Sequence, residues 1–396
     1  MRLVHLSDLH LGFRQYQRLT PGGVNQREAD VATTFRAVID RVIALRPDAV
    51  VVAGDIFHTV RPTNQAILHA FLQFSRLVRS LPDAVIVMVA GNHDTPRSTE
   101  TGGILQLLAQ LGITVVDREP KRLAFPERDL SILAVPDVPG MELPAFIPDS
   151  AARYNVLVLH GEVEGMLPAA VADRAGLEIK RADLGSRWDY IALGHYHVYR
   201  EIAPNAFYSG SIDYTSANPW GELSEQRMAG VPGKGIVERN LDTGEQLFHA
   251  IAPARPLVDL PPVNARGLAA AELNERIRAT VESAPGGIEN KIVRLTVREV
   301  PRHMGRELDH KTIREYKRRA LNFHLDLRRP EAAHRQAAGG PGGGRRQVDL
   351  KEVVLEKLRA RPLDADVDRE TLLARASQYI DEAQAITAAA PLLVDG

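Results

Sequence analysis

The chain of 396 residues contains no cysteine. Disulfides, thiolate nucleophiles and cysteine-ligated zinc are therefore excluded. It also lacks any surplus of charge: the formal net charge is -1, so a blanket basic surface is ruled out and contact with a polyanion must come from local patches. No apolar run is long enough to cross a bilayer, and the opening MRLVHLSDLH carries charges where a signal peptide has its apolar stretch. A soluble cytoplasmic protein, with no membrane partner, is expected. Internal repeats are absent as well. What is present, 44% hydrophobic and 25% charged residues, is the composition of an ordinary globular protein, and the length calls for two or three domains.

From Leu3 to about Val116 short apolar runs alternate with amphipathic stretches. Leu3–Leu6, Ala49–Ala53 and Val85–Ala90 are near-continuous apolar runs that end abruptly in polar residues. Val31, Phe35, Val38, Ile39 and Val42, and then Ile67, Leu68, Phe71, Phe74 and Leu77, recur at helical spacing. β-Branched runs separated by helices predict strands buried on both faces in an α/β layered fold. Ser131–Val135, Asn155–Leu159 and Tyr190–Leu193 read as further strands. A proline-rich stretch near 252–262 marks a domain boundary. After it, a helix over 268–283 and an alternating strand over 291–299 suggest a small α+β module. Residues 331–344 (EAAHRQAAGGPGGG) read as a flexible linker. Beyond it lie two amphipathic segments broken at Pro362.

Polar residues follow the predicted strands in a telling order: Asp8-Leu9-His10, Gly54-Asp55, Gly91-Asn92-His93-Asp94, His160-Gly161 and Gly194-His195-Tyr196-His197. Ligand sites of open α/β sheets lie at the carboxyl ends of strands, so five strand ends are expected to feed one crevice. Carboxylates with imidazoles suit manganese, iron or zinc better than calcium. Asp8 and His10 are two apart, as are His195 and His197, so both members of each pair can face the crevice. Each fragment alone is ordinary surface polarity or a satisfied structural histidine. Together, burying so many such groups without an ion would be costly, and a dinuclear metal site is expected.

The series DxH, GD, GNHD, H and GHxH resembles the signature of the calcineurin-like metallophosphoesterase superfamily. HLSDLHLG, AGDIFHTVRPT and YSGSIDY narrow the resemblance to SbcD-type DNA double-strand-break repair exonuclease subunits, over residues 1 to about 245. Three residues after Asp55, phosphoprotein phosphatases resemble GDxxDRG and purple acid phosphatases GDxxY. This chain has His58 there, as the repair nucleases do. The segment GELSEQRMAGVPGKG after Asp213 does not align with the family pattern.

The resemblance implies a layered β-sandwich flanked by helices over 1–252, a capping, DNA-binding domain over 253–330, a linker over 331–346 and a helical hairpin over 347–390. It implies two divalent cations, manganese foremost. One would be held by Asp8, His10 and His197, the other by Asn92, His160 and His195, with Asp55 bridging. His93 would stabilise or protonate the leaving oxygen, and His58 would orient His93 or the scissile phosphate. Asp94 would either fix a ring tautomer or hold the turn. Arg61 and Arg97 are candidates for flanking phosphates, or solvated surface arginines. The implied activity is hydrolysis of DNA from duplex ends, with single-strand endonucleolytic cleavage a second activity in view.

Residues 302–346 hold twelve Lys and Arg against five Asp and Glu, a local excess suited to backbone contacts with DNA, or else a solubilising face. A tethered hairpin suits docking to a separate protein, although it could equally fold back on its parent domain. By resemblance it grips an SbcC-like, SMC-family ATPase, and the chain forms a homodimer. The loop from Phe13 to Asp30 would contribute to substrate access or dimer contacts. The rival enzyme is a small-molecule phosphatase or phosphodiesterase of the same superfamily; His58, the C-terminal extension and the tail oppose it. A scaffold that kept the fold without metals is opposed by the complete motif.

Overall fold

A computed structural model describes residues 1–96, 103–166, 175–185, 187–330, 351, 355, 358–359 and 368–389. Arg97, the expected linker and most of the first tail segment lie outside these residues. The described residues up to Pro330 belong to one compact unit and those beyond it to a second.

The first unit begins with strands β1 (Arg2–Leu6), β2 (Ala49–Ala53), β3 (Val85–Val89) and β4 (Thr114–Val116) in parallel register. Helices α1 (Gln26–Leu45) and α2 (Asn64–Ser80) make the first two crossovers. A one-turn helix, α3 (Gln106–Ala109), precedes β4. The chain then crosses to a second sheet through β5 (Lys121–Phe125), β6 (Leu130–Val135) and β7 (Tyr154–His160). The short pair β8 (Glu162–Val163) and β9 (Glu178–Ile179) follows, then β10 (Tyr190–Gly194), β11 (Arg200–Ala203) and β12 (Ala206–Tyr208). Helix α4 (Pro219–Met228) leads back to the first sheet through β13 (Lys234–Asn240) and β14 (Gln246–Ile251). The strand orders are β14-β13-β1-β2-β3-β4 and β11-β12-β10-β7-β6-β5.

Strand alternation divides the apolar runs between two cores, which is why they are continuous. Val50 and Val52 pack with Val31, Phe35, Val38 and Phe74 beneath the helices. Ala49, Val51 and Ala53 pack against Ile132, Val156, Val158 and Ala192 between the sheets. Each such fully buried branched side chain stabilises the fold by roughly 1.5–3 kcal/mol. Among the described residues, the outer face of the second sheet is covered by Val163, Ile179, Leu184, Trp188 and Tyr196. Helix α2 starts at Thr63, whose hydroxyl accepts from the Ala66 amide at 3.1 Å. Its buried face is Ala66, Ala70, Phe74 and Leu77. Leu68, expected on that face, is 54% exposed, and Leu72 one turn on is 51% exposed. The small Ala66 and Ala70 let the helix approach on their side and turn the leucines outward.

Strands β15 (Leu257–Asn264), β16 (Ile292–Arg298) and β17 (Asn322–Leu327) form a separate sheet, parallel throughout. Helices α5 (Ala270–Glu282) and α6 (His310–Arg319) are its crossovers and share its core with Leu260, Leu273, Ile277, Val293, Leu295 and Phe323. The module is thus wound β-α-β-α-β. Its first strand runs through the proline-rich stretch read as a boundary. Pro261 and Pro262 fall in a register irregularity between Leu260 and Val263 of an edge strand, where missing amide donors are tolerated. In the second unit, the helix Arg369–Ala389 contains the second tail segment and is capped by Asp368, which accepts from the Thr371 amide at 2.9 Å. No helix among the described residues is long and apolar enough to cross a membrane.

Candidate dinuclear metal centre

Parallel strands share polarity, so the exits of β1, β2, β3, β7 and β10 gather at one end of the two sheets. The turns after β1 and β2 are laced together: the Asp8 amide donates to Gly54 O at 3.0 Å, His10 to Asp55 O at 2.9 Å and Leu11 to Ile56 O at 2.9 Å. Asp8, His10, Asp55 and His195 all have positive φ, at 52°, 44°, 53° and 108°. Such backbone costs on the order of 1–3 kcal/mol per residue, and here it turns four polar side chains into one space. Gly194 is required by proximity, since a Cβ there would lie 1.7 Å from Ala53 O.

The donors form two groups about one carboxylate. Asp55 Oδ2 is 3.7 Å from His10 Nε2 and 3.5 Å from His160 Nε2. On one side, donor atoms of Asp8, His10 and His197 lie within 4.8 Å of one another, and the two Nε2 atoms of His10 and His197 are 2.9 Å apart. On the other, Asp55, His160 and His195 converge within the same limit, and Asn92 Oδ1 is 3.0 Å from His160 Nε2. The backbone ties the halves together, for the His195 amide donates to both oxygens of Asp8 at 3.0 and 3.2 Å. Asp8, His10, Asp55, His160 and His195 form a buried floor, whereas His58, Asn92, His93 and His197 are partly exposed.

The donor chemistry fits cations. His160 Nδ1 donates to Ala53 O at 2.8 Å, so the neutral ring presents a lone pair at Nε2. That lone pair faces Asn92 Oδ1 and Asp55 Oδ2, and three acceptors converging in a buried space call for positive charge between them. Burial lowers the His160 pKa, but the carboxylates of Asp55, Asp8 and Asp137 outweigh it and raise the pKa above the usual value. Burial, aided by four neighbouring imidazoles, holds His10 well below the ordinary range. Burial raises Asp55, against the pull of His160 and His93. Neutral imidazoles and clustered carboxylates are the forms that divalent cations bind.

His93 diverges from its neighbour Asn92. Its Nδ1 donates to His58 O at 2.8 Å, and its ring stacks on that of His58. Donor atoms of His10, His58 and His93 also converge within 4.8 Å, so proximity alone gives His10 two sets of neighbours. Asp94 belongs to the turn: it accepts from the amides of Ile56, Phe57 and Gly91 at 3.1, 2.9 and 3.1 Å. Burial and the nearby Asp55 raise its pKa to about 7. Arg61 is exposed ahead of α2. Arg18 donates to Lys317 O and Arg318 O at the end of α6, so part of the stretch expected as a Phe13–Asp30 loop, which from Gln26 on is helix α1, braces the three-stranded module.

Residues 1–199 match the family described as calcineurin-like phosphoesterase. This chain belongs to that family. All the donor residues described above fall within the match. Its relatives include proteins named DNA double-strand break repair protein Mre11. The one from Methanosarcina acetivorans is 30% identical over 262 residues, 63% of this chain and 40% of the relative. That from Methanocaldococcus jannaschii is 34% identical over 249 residues, 60% and 61% of the two chains. That from Methanococcus maripaludis is 29% identical over 234 residues, 55% and 59%. The alignments thus span between two fifths and three fifths of these relatives.

Two residues that sequence reasoning missed lie beyond the family match. Glu222 accepts from His197 Nδ1 at 3.3 Å and from the Ser216 amide at 3.1 Å. Lys234 donates to Glu222, to His197 O at 2.8 Å and to Ser211 Oγ at 2.9 Å. Burial would raise the Glu222 pKa, but Lys234 and His197 outweigh it and hold the carboxyl at about 2. Both sit in the segment that does not align with the family pattern. The one local signal is Asn218-Pro219, a helix start.

Proposed function

We propose that this chain is a metal-dependent DNA nuclease that hydrolyses phosphodiester bonds at duplex ends in double-strand-break repair. The observation that carries it is the seat of Asp55 between His10 and His160, a carboxylate placed to serve two donor groups. Asp8, His10 and His197 would hold one cation, Asn92, His160 and His195 a second, with Asp55 shared. Two bound divalent cations, manganese in our reading, would offset the phosphodiester charge and acidify a bound water. The protein's own part begins with His160 and His197, whose Nδ1 bonds to Ala53 O and Glu222 hold each ring with Nε2 toward the site. His93 donates Nδ1–H to His58 O; as the imidazolium it would give its Nε2 proton to the leaving oxygen and be left neutral with Nδ1–H still held. His58 orients that ring by stacking and through its carbonyl.

The DNA reading is supported by the names of the relatives and by α6, on which Lys311, Arg314, Lys317 and Arg318 are exposed. Single-strand endonuclease cleavage belongs to the same proposal. Arg61 is proposed for a flanking phosphate; Arg97 is proposed likewise, from sequence alone. An SMC-family ATPase of SbcC type is the proposed partner of the C-terminal segment, in a cytoplasmic complex. Self-association is supported by the ridge of Leu68 and Leu72 on α2.

The test is an assay of metal-stripped, manganese-reloaded protein on a labelled linear duplex and on a small chromogenic phosphodiester, with His93→Ala as control. Duplex shortening that the variant loses supports the nuclease. Turnover of the small ester alone, unchanged when the ATPase partner is added, overturns it in favour of a small-molecule phosphodiesterase.

A further inference from the structure

Helix α4 stands between His197 and the three-stranded module, and it is tied to both. On its inner side Glu222, 8% exposed, uses both carboxylate oxygens. Oε1 takes His197 Nδ1 and the Ser216 amide, and Oε2 takes Lys234 Nζ at 2.5 Å. Lys234, 2% exposed, spends its remaining donors on His197 O and Ser211 Oγ. The first turn of the helix is thereby locked to the ring and the backbone of one residue.

On its outer side the same helix reaches the module. Trp220 lies under the guanidinium of Arg294 on β16, 4.9 Å from ring centroid to Cζ. Arg294 is held in place by a bidentate pair with Asp259 on β15, at 2.9 and 2.8 Å, and Asp259 also faces Arg227 of α4 at 3.7 Å. Beside this contact a groove of about 490 Å³, lined by Asn218, Ser224, Thr296, Arg298 and Arg328, separates helix from sheet. The two are therefore joined at points rather than along a continuously packed wall, and a joint of that kind can transmit a displacement.

We propose that α4 is a strut coupling the three-stranded module to His197, with Glu222 as the positioning residue and Trp220–Arg294 as the contact through which the module acts. The inference rests on the reading of His197 as a metal ligand. A carboxylate accepting the far ring proton of a ligating histidine fixes its tautomer and orientation and raises its basicity, and removing it usually weakens metal binding by about 10- to 100-fold. Glu222→Gln keeps an acceptor but loses the charge and leaves Lys234 facing an amide. Trp220→Ala leaves Glu222 and His197 untouched and removes only the ring that Arg294 covers; Trp220→Phe restores a ring.

The experiment is calorimetric titration of Mn2+ into the metal-free full chain, with thermal melting of each metal-free variant alongside. We expect two ions in the wild type. In Glu222→Gln one of the two should bind about 10- to 100-fold more weakly while the other is retained. Trp220→Ala should weaken the same ion measurably but by less than Glu222→Gln does, and Trp220→Phe should recover most of the loss. Unaltered affinities in Trp220→Ala overturn the coupling, and unaltered affinities in a folded Glu222→Gln overturn the positioning role. Should Glu222→Gln melt far below the wild type, the Trp220 pair decides. No DNA enters these measurements. A wild type that binds two ions yet cleaves no duplex even with the ATPase partner added sinks the nuclease reading alone, and one that binds fewer than two sinks the metal assignment on which both rest.

Discussion

The rings of His58 and His93 lie 5.3 Å apart and 20° from parallel, and His93 Nδ1 donates to the His58 carbonyl at 2.8 Å. One residue therefore orients the other twice, once by its side chain and once by its backbone. Replacing His93 by Ala should abolish the proton delivery proposed for it and cut duplex cleavage by about 10²–10⁴-fold, with the manganese stoichiometry unchanged. Replacing His58 by Ala removes the stack but keeps the carbonyl, so the loss should be smaller. Metal content measured beside activity checks both: a His93 variant that loses an ion along with its activity has lost a ligand, and the assigned role is wrong.

Asp55 Oδ2 lies within 4 Å of a ring nitrogen of each imidazole group. In Asp55→Asn we expect manganese uptake to fall from two ions to at most one. Elemental analysis after gel filtration reads the outcome directly, and two tightly held ions would remove Asp55 from the shared position.

Acid should destabilise the fold through His5. It is wholly buried, 3.0 Å from the Tyr190 hydroxyl, and burial lowers its pKa from 6.5 to about 3. Between those values the unfolded chain binds a proton that the folded chain refuses. The stability it carries is complete above pH 6.5 and is lost as pH falls toward 3. From pH 7.5 to 5.5 the loss from this residue should be about 1.4 kcal/mol. Urea denaturation at both pH values, wild type against His5→Gln, isolates it: the variant should lose that much less, and an equal loss in both proteins would clear His5 of the effect.

Arg27 is 1% exposed and donates to Asp213 at 2.8 Å and to Tyr214 O at 3.1 Å. Asp213→Ala leaves a buried guanidinium short of its counter-charge and should destabilise the protein by about 3–5 kcal/mol. Chemical denaturation measures this, and a change below about 1 kcal/mol would mean that Asp30, 3.5 Å from Arg27, suffices.

If α6 meets the DNA backbone, reversing its charge should act without regard to sequence. Lys317→Glu with Arg318→Glu should weaken duplex binding and flatten the salt dependence of log K by about 0.9 for each phosphate that the helix no longer neutralises. Fluorescence anisotropy over a series of salt concentrations reads both, and an unchanged slope would leave α6 a solubilising face.

Much of this protein is local and therefore legible in the chain itself. Strands buried on both faces must be continuously apolar, and α1 must repeat its apolar residues at helical spacing. Parallel strands must release their polar residues at the same end. These rules alone place Asp8, His10, Asp55, Asn92, His160, His195 and His197 at strand exits and order them along the chain. Spacing puts Leu68 of α2 inside, whereas it lies outside, because spacing defines a stripe but not which edge of it meets the core. Strand β15 is not legible because Pro261 and Pro262 are tolerable only on an edge, and edges are decided by the sheet. Tertiary structure alone seats Asp55 between His10 on one sheet and His160 on the other, and ties Asp94 to the backbone amides of Ile56 and Phe57. It alone brings Glu222 and Lys234 to His197. Those contacts join residues far apart in the chain at single points, where no periodicity exists to announce them.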